Sequence, residues 1–413
     1  MPDCYIDSNN STTCYGCEAC AQICSKGAIT MKEDTEGFRY PQLDETLCIH
    51  CGLCRKVCPH SHPPIPHKHT QIAYGGYHKN AVIRDQSTSG GAFSAIVESW
   101  CDTNYVIFGA AGDGLETFHQ YVTHKDDIVK FRKSKYTQSH IGTAYADARA
   151  FLKQGRKVLF SGTPCHIAAL KSFLRHKEYD NLLTVEVVCE GVPSPLYIRK
   201  YAEHLEKKYG SQVKTIDYRY SDSCPIKNDS KVTRGRWDFE VMRSSFANGR
   251  SIKIDRWFNP FWSIWLQHLI SRPSCYKCPF ARKERNADIT LGDLWGVHLY
   301  CPDLYGRNGG SSLIVCNSPQ GIKAWEKAKE LLHCKELDFP TALKYQGPMR
   351  GHIADNQQRE RCMEDLHALN YGDFNKKWAK KPGLQLLWQK YVWGNRQKIW
   401  LWNLIQSITY RFH

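Results

Sequence analysis

Two cysteine runs of identical spacing constrain this chain more than anything else in it. The first reads Cys14-Tyr-Gly-Cys17-Glu-Ala-Cys20-Ala-Gln-Ile-Cys24 and the second Cys48-Ile-His-Cys51-Gly-Leu-Cys54-Arg-Lys-Val-Cys58-Pro59. Each is C-x2-C-x2-C-x3-C, the pattern of a protein with two 4Fe–4S clusters. In that pattern the first three cysteines of a run hold one cluster and the fourth crosses to the other. The expected ligand sets are therefore Cys14, Cys17, Cys20 and Cys58, and Cys48, Cys51, Cys54 and Cys24. Ser25 stands where Pro is usual after the first run, a departure that removes no ligand. Gly16 and Gly52 fall inside the runs, where backbone must pass close to a bulky inorganic core. Structural zinc asks for four ligands in two pairs, not two interleaved sets. Disulfides need an oxidising compartment.

Nothing in the sequence suggests such a compartment. The first residues, Met1-Pro-Asp-Cys4-Tyr-Ile-Asp7, lack the basic and apolar regions of a signal peptide. No stretch is long and apolar enough to span a bilayer. Nineteen cysteines in this setting favour a reducing cytoplasm and metal ligation. A length of 413 residues with 42% hydrophobic and 23% charged residues suits two to four globular domains.

Residues 1–69 read as the ferredoxin-type module, with a short hairpin from Ala28–Met31 and Gly37–Pro41 between the runs. Residues 59–69, rich in Pro and His, read as an extended, semi-rigid, solvated linker. From residue 70 strands and helices alternate. Ser87 to Trp100 is a Gly-containing turn opening a helix, a place where free backbone N–H groups suit phosphate. Tyr105–Ala111 and Thr117–Thr123 are strands. Lys133-Ser-Lys135-Tyr136-Thr-Gln138-Ser139 is a polar and aromatic loop suited equally to anion contact or to solvent. A second unit follows: helix 143–154, strand Lys157–Gly162, helix Ile167–His176, strand Leu182–Val188 and a helix to Tyr209. This alternation argues for a mostly parallel sheet. Cys165 and Cys189 each follow a strand, at the edge where such sheets bind ligands.

Cys275-Tyr-Lys-Cys278-Pro279 is a half-site that needs two more ligands, for which Cys165 and Cys189 are the candidates. Zinc or a redox disulfide are the alternatives; beside a ferredoxin module, a third 4Fe–4S cluster is the expectation. The remaining cysteines, Cys4, Cys101, Cys224, Cys301, Cys316, Cys334 and Cys362, have no ligand spacing and read as packing residues.

Taken in order, Ser89-Gly90-Gly91, Lys133–Ser139, Phe160-Ser-Gly-Thr163-Pro164-Cys165, Cys189-Glu-Gly191-Val-Pro193-Ser-Pro195, Cys275-x-x-Cys278 and Ala287-Asp-Ile-Thr-Leu-Gly-Asp293-Leu-Trp-Gly296 form a recognisable series. The chain resembles the coenzyme F-420 hydrogenase/dehydrogenase beta subunit family, in its bacterial branch with an N-terminal ferredoxin domain. The resemblance covers about residues 75–335. It implies an α+β ferredoxin-like two-cluster module followed by an α/β flavin/iron–sulfur domain with a helical C-terminal extension. The implied divisions are 1–69, 70–155, 156–335 and 336–413. It also implies FAD, with Ser89, Gly90, Gly91, Lys135, Tyr136 and Gln138 as contacts, and a cluster on Cys165, Cys189, Cys275 and Cys278. His166 stands where members often have Gln, and Glu190 where they often have His. Neither change removes a ligand.

Residues 340–413 are basic and rich in Trp, with amphipathic helices expected at Gln385–Trp393 and Ile399–Ile408. The first expectation is a helical cap on the catalytic domain or a contact between copies in a homo-oligomer; the second is a peripheral contact with an anionic membrane. The formal charge of +15 falls by roughly 6 when three clusters with their thiolates are counted. The remainder suits an acidic partner, an anionic substrate or an anionic membrane surface, while no recognition helix points to nucleic acid. The sequence thus describes an oxidoreductase that passes electrons between a ferredoxin-like partner, its clusters and FAD to reduce or oxidise an organic substrate. The alternative is a non-catalytic electron-transfer subunit of a larger complex.

Overall fold

The computed structural model describes residues 3–220, 241–256, 258–304 and 310–392, together with 401, 404 and 405. Between the cysteine runs β1 (Ile29–Glu33) and β2 (Arg39–Leu43) form the expected antiparallel hairpin, with Ile29 opposite Leu43. Asp34 closes its turn by accepting from the backbone of Glu36 and Phe38. Two short helices, Ala19–Ile23 and Leu53–Lys56, follow the clustered cysteines.

The rest of the chain is built on one nine-stranded sheet. Its members are β3 (Ile72–His78), β4 (Tyr105–Asp113), β5 (Glu116–Val122), β6 (Ser139–His140), β7 (Lys157–Gly162) and β8 (Leu182–Val187). After a separate three-stranded antiparallel sheet, β9 (Val213–Tyr220), β10 (Val241–Phe246) and β11 (Ser251–Asp255), the large sheet is completed. Its last members are β12 (Ile289–Asp293), β13 (Ser312–Cys316) and β14 (Leu332–Leu337), in the order β14-β3-β13-β12-β8-β7-β4-β5-β6. Strand alternation sorts residues between two faces. Ile107, Leu159 and Leu183 turn toward the helices Ala92–Trp100 and Pro319–Ala328, with Ile96 and Trp325 at the centre of that core. Val106, Phe108, Val158, Phe160 and Leu182 turn the other way, onto helices Ala144–Lys153 and Pro164–Phe173. Ile23 and Val57 of the cysteine-rich module share that second core.

Three expectations change. The sheet is mixed: only β12, β8, β7 and β4 run parallel as a block, flanked by antiparallel neighbours. The regions 70–155 and 156–335 are joined in this sheet, with β4 paired to β7 across residue 155 and β14 running through residue 335. The strands β3 and β14 had no assignment from the sequence; β3 carries Gly75 and Gly76, which let Leu294, Leu304 and the backbone of β14 come close. The segment 59–69 is docked, not solvated: Pro59, Ser61 and Pro64 are buried, His60 meets the Tyr15 hydroxyl, and the His67 backbone donates to Arg285.

Helices Arg359–Ala368 and Tyr371–Trp378 bury Met363, Leu366, Tyr371 and Phe374 against Tyr197, Phe261 and Trp262, making an aromatic core with helix Pro195–Tyr209. Helix Leu384–Tyr391 follows, with Leu384 and Trp388 exposed. The helix expected at Ile399–Ile408 lies almost wholly outside the described residues, as do Cys224 and Trp257.

Two outcomes follow. Phe160 is fully buried and stacks on Phe108 with ring centroids 5.3 Å apart. Phe160→Ala should cost about 3–5 kcal/mol, read as a lowered midpoint of thermal unfolding. His119 sits deep between Ser139 Oγ (2.7 Å) and the Ser161 carbonyl (3.1 Å), and burial holds its pKa down at about 4 against an ordinary 6.5. The folded chain keeps it neutral where the unfolded chain takes a proton. The stability it contributes is therefore full above about pH 6.5 and is lost as pH falls toward 4. In His119→Gln, unfolding midpoints should decline less steeply across that window.

Candidate iron–sulfur centres

The first ligand set converges as the crossing pattern requires. Cys14, Cys17, Cys20 and Cys58 line one hollow, together with Cys4, Tyr5, Met31, Cys54 and Pro59. Cys17 and Cys20 lie deep, and burial pushes their thiols well above the ordinary range, with the neighbouring thiolates, Cys58 among them, adding to it. Cys58 is pushed up by burial and by Cys14. Thiols in such a place ionise only when a cation stands among them, so this donor set fits a metal cluster.

The second set lies nearer solvent. Cys51 is exposed and Cys24, Cys48 and Cys54 are partly so. His50, held at positive φ beside Cys48, puts Nδ1 3.9 Å from its sulfur, and its other nitrogen lies 3.8 Å from Glu45. Cys24 ends the helix Ala19–Ile23, which shares a core with Leu53 and Val57 at the second run.

The third set is assembled from three separate places in the chain. Parallel neighbours β7 and β8 end side by side, which delivers Cys165, in the first turn of helix Pro164–Phe173, and Cys189 just past β8. A 3-10 turn, Pro273–Lys277, carries Cys275 and leads to Cys278. Burial pushes Cys165, Cys189 and Cys275 up to about 12, and each feels the thiolates of others in the set. Cys278 is raised in the same way by burial. All four are free thiols. A tetrahedral zinc site, with bonds of about 2.3 Å, would draw its sulfurs to about 3.8 Å from one another. Among the described residues, Glu45, Cys48 and His50 are the one group of three or more candidate ligands with atoms all within 4.8 Å of one another.

Tyr15 stands between the two deep sets. It packs with Phe280, Ala168, Cys165 and Cys278, meeting the Phe280 ring edge-on at 5.2 Å. Burial raises its pKa, and thiolates from both sets, Cys278 and Cys165 on one side and Cys58 and Cys17 on the other, raise it further. Its hydroxyl meets His60 Nδ1 at 3.0 Å. Arg272 lies in the same seam, bonded to the Cys14 carbonyl and to Gln138. The Cys-rich module is clamped here. Glu18, in a left-handed conformation rare for its type, accepts from the backbone of Ile141 (3.1 Å) and Gly142 (3.0 Å) and pairs with Arg39 (2.6 Å). Gln22 Oε1 caps helix Ala144–Lys153 by accepting from Tyr145 and Ala146.

Of the six expected flavin contacts, Ser89, Gly90, Lys135, Tyr136 and Gln138 have hydrogen-bond or packing partners within the chain. Gln138 is taken up by Tyr15, Gly16 and Arg272. Tyr136 is buried edge-on between Trp262 and Trp265. Gly90 is explained by close backbone: a Cβ there would lie 2.3 Å from the Gly76 carbonyl oxygen. Its N–H is used by Ser312 Oγ, and Ser89 Oγ donates to the Ser311 carbonyl. What fits a phosphate is the turn itself. Gly91 takes φ +84° and the nine-residue helix behind it has no side-chain cap. The loop after Lys133 crosses this turn, with Ser134 N donating to Thr88 Oγ1. Lys135 is bonded to the carbonyls of Lys130 and Arg132, and burial lowers its pKa to about 8.

Several residues at the centres had no sequence signal. Tyr15 sits inside the first run and Arg272 is a lone arginine before the C-x2-C; only the fold brings them between two ligand sets. The fully buried pair Glu186 and Arg285 is another, with Arg285 lowering the thiols of Cys189 and Cys278 by its charge. Glu190 ends up 3.9 Å from His268, and His166 is buried edge-on against His119.

The crossing of ligands has a direct test. Cys58→Ser should cost the cluster of Cys14, Cys17 and Cys20, lowering bound iron by up to about four per chain. The signal of the exposed centre should survive, as followed by iron analysis and electron paramagnetic resonance of the reduced protein.

Comparison with known proteins agrees with this arrangement. Residues 13–62 match the family model described as 4Fe-4S dicluster domain. Residues 155–339 match the family model for the C terminus of the coenzyme F420 hydrogenase/dehydrogenase beta subunit. A chain of the F420-reducing NiFe hydrogenase complex from Methanosarcina barkeri is 15% identical, with 76% of this chain and 92% of that chain covered and a TM-score of 0.42. No curated protein matches. Among the described residues no helix is long and apolar enough to cross a membrane. Residues 155–339 thus carry the C-terminal region of a coenzyme F420 hydrogenase/dehydrogenase beta subunit, preceded by a 4Fe–4S dicluster domain, and the chain is related to that family as an iron–sulfur electron-transfer protein.

Proposed function

We propose that this protein is an iron–sulfur flavoprotein oxidoreductase that passes electrons between a ferredoxin-like partner and an organic substrate. Its ligands are the eight cysteines of the two runs and, for a third cluster, Cys165, Cys189, Cys275 and Cys278. The turn Ser89–Gly91 is the place for the phosphates of FAD. The observation that carries this reading is the seam at Tyr15, one aromatic ring with a set of four thiols on either side.

Clusters exchange single electrons and a flavin one or two, so together they join a one-electron partner to a two-electron organic reaction. The chain's own residues supply placement and environment. Cys51 and its neighbours face solvent, where a partner protein can approach. Tyr15, Ala168 and Phe280 exclude water between the deep sets. Thr163 Oγ1, 3.1 Å from Cys165 Sγ, and the Arg285 charge act on the third set. Lys135 follows Ser134, whose N–H donates to Thr88 Oγ1 before the turn, and offers a cation suited to an anionic ligand.

Anaerobic reconstitution tests the reading. It expects about 12 irons and one flavin per chain, and a flavin that dithionite bleaches and an organic acceptor restores. Acceptors should include the deazaflavin coenzyme. Full iron without flavin would leave an electron-transfer subunit of a larger assembly. About 8 irons would remove the third cluster.

A further inference from the structure

Arg272 is a buried cation whose partners are unusual. It is 1% exposed. Nε donates to the Cys14 carbonyl at 2.8 Å; one terminal nitrogen donates to Gln138 Oε1 at 2.8 Å. The other reaches the Arg39 carbonyl at 3.0 Å and Cys14 Sγ at 3.5 Å. The guanidinium lies 4.3 Å from the Tyr40 ring centre and 5.3 Å from that of Phe38. Among the described residues it makes no ion pair with a carboxylate. A buried charge is costly unless something opposes it. Its acceptors are two carbonyls, an amide oxygen and the Cys14 sulfur, so the anionic atom within its reach is sulfur.

Its place in the chain gives it a second tie. The Arg272 carbonyl accepts from Cys275 N at 2.9 Å, so the residue that touches Cys14 also opens the turn carrying Cys275 and Cys278.

We propose that Arg272 is a positioning residue that sets the reduction potential of the cluster at Cys14, Cys17, Cys20 and Cys58. A fixed positive charge and a hydrogen bond to a ligand sulfur both favour the more negative, reduced state of a cluster. No comparable buried cation is bonded to the ligands of the exposed centre among the described residues; Arg55, beside Cys54, is exposed and paired with Asp7 at 2.5 Å. The arginine thus holds the inner cluster at a higher potential than it would otherwise have, which draws electrons inward from the surface. The inference rests on the dicluster domain and not on the flavin or the third cluster.

The test is a redox titration of the full-length reconstituted protein, followed by electron paramagnetic resonance, with the exposed centre assigned by its loss in Cys51→Ser. Arg272→Gln should move the inner midpoint to more negative potential and leave the exposed one in place. Arg272→Lys keeps the charge but not the planar fork, and should give a smaller shift in the same direction. An inner midpoint unchanged at full iron content, or equal shifts in both centres, overturns the proposal. If Arg272→Gln does not hold its inner iron, Arg272→Lys decides by the same criterion. Loss of the inner cluster from both variants makes the arginine a structural clamp and overturns it as well. A parent protein with about 8 irons and no flavin would defeat the oxidoreductase reading while leaving this measurement intact.

Discussion

Thiols gathered deep in a protein do not ionise together unless positive charge stands among them. That constraint organises this structure. At Cys165, Cys189 and Cys275 burial, with neighbouring thiolates adding to it, pushes the thiols up to about 12. An iron cluster, as proposed for this set, would supply the missing charge. The surroundings are arranged accordingly: Arg285 lies beside Cys278 and Cys189, and Arg272 lies beside Cys14, Cys275 and Cys165. Both arginines are almost wholly buried. Arg285 meets a carboxylate, Glu186, which tempers its charge, whereas Arg272 meets carbonyls, an amide and a sulfur.

The same constraint explains why the small module is fused to the large domain so tightly. A two-cluster ferredoxin has little core of its own and relies on its metal for folding. Here it also borrows a floor. Ile23, Val57 and Cys17 are packed into the core beneath β4 and β7, and the module returns the contact by capping a helix of the large domain with Gln22. Glu36 adds a two-pronged pair with Arg359 at the far edge. Helix Arg359–Ala368 in turn packs in the aromatic core with Tyr197 and Phe261. A rigid joint of this kind fixes the spacing between redox centres, which a solvated linker would leave to chance. That is the physical reason the Pro- and His-rich segment 59–69 is docked: it lies against the joint, with His60 on Tyr15 and His67 on Arg285.

The sequence reading succeeded where chemistry is local. Eight cysteines at fixed spacing announce their geometry, because three of every four ligands come from one turn of chain. Strands β7 and β8 were equally readable, since their apolar runs are bounded by turns and followed by helices. The third ligand set was readable only in outline: Cys275 and Cys278 are local, but Cys165 and Cys189 meet them only because β7 and β8 are parallel neighbours. Strands β3 and β14 escaped notice. Gly75 and Gly76 interrupt the pattern of β3, and β14, Leu-His-Cys-Lys-Glu-Leu, is a half-exposed edge with little apolar content. The expected flavin contacts are the least local of these readings. Gln138 and Tyr136 have the residue types of ligand contacts, but their hydrogen bonds and packing are consumed inside the protein. A motif records that a residue matters; only the fold says to which neighbour.

The two ligand sets of the cysteine runs look interchangeable on paper and differ in place. One is open to solvent at Cys51, and the other, with Cys17 buried, is lined by Tyr5, Tyr15, Met31 and Pro59. Exposure lets water and mobile ions screen an added electron, and enclosure removes that help. By burial alone, then, the inner centre would be the harder one to reduce, and electrons arriving at the surface would stay there. A fixed cation inside the enclosure reverses this penalty without admitting water. The chain supplies one from residue 272, more than two hundred residues beyond the cysteines it serves, on the same turn that carries Cys275. Enclosure and compensation are thus built from different parts of the sequence, and the route inward exists only once the large domain has folded around the small one.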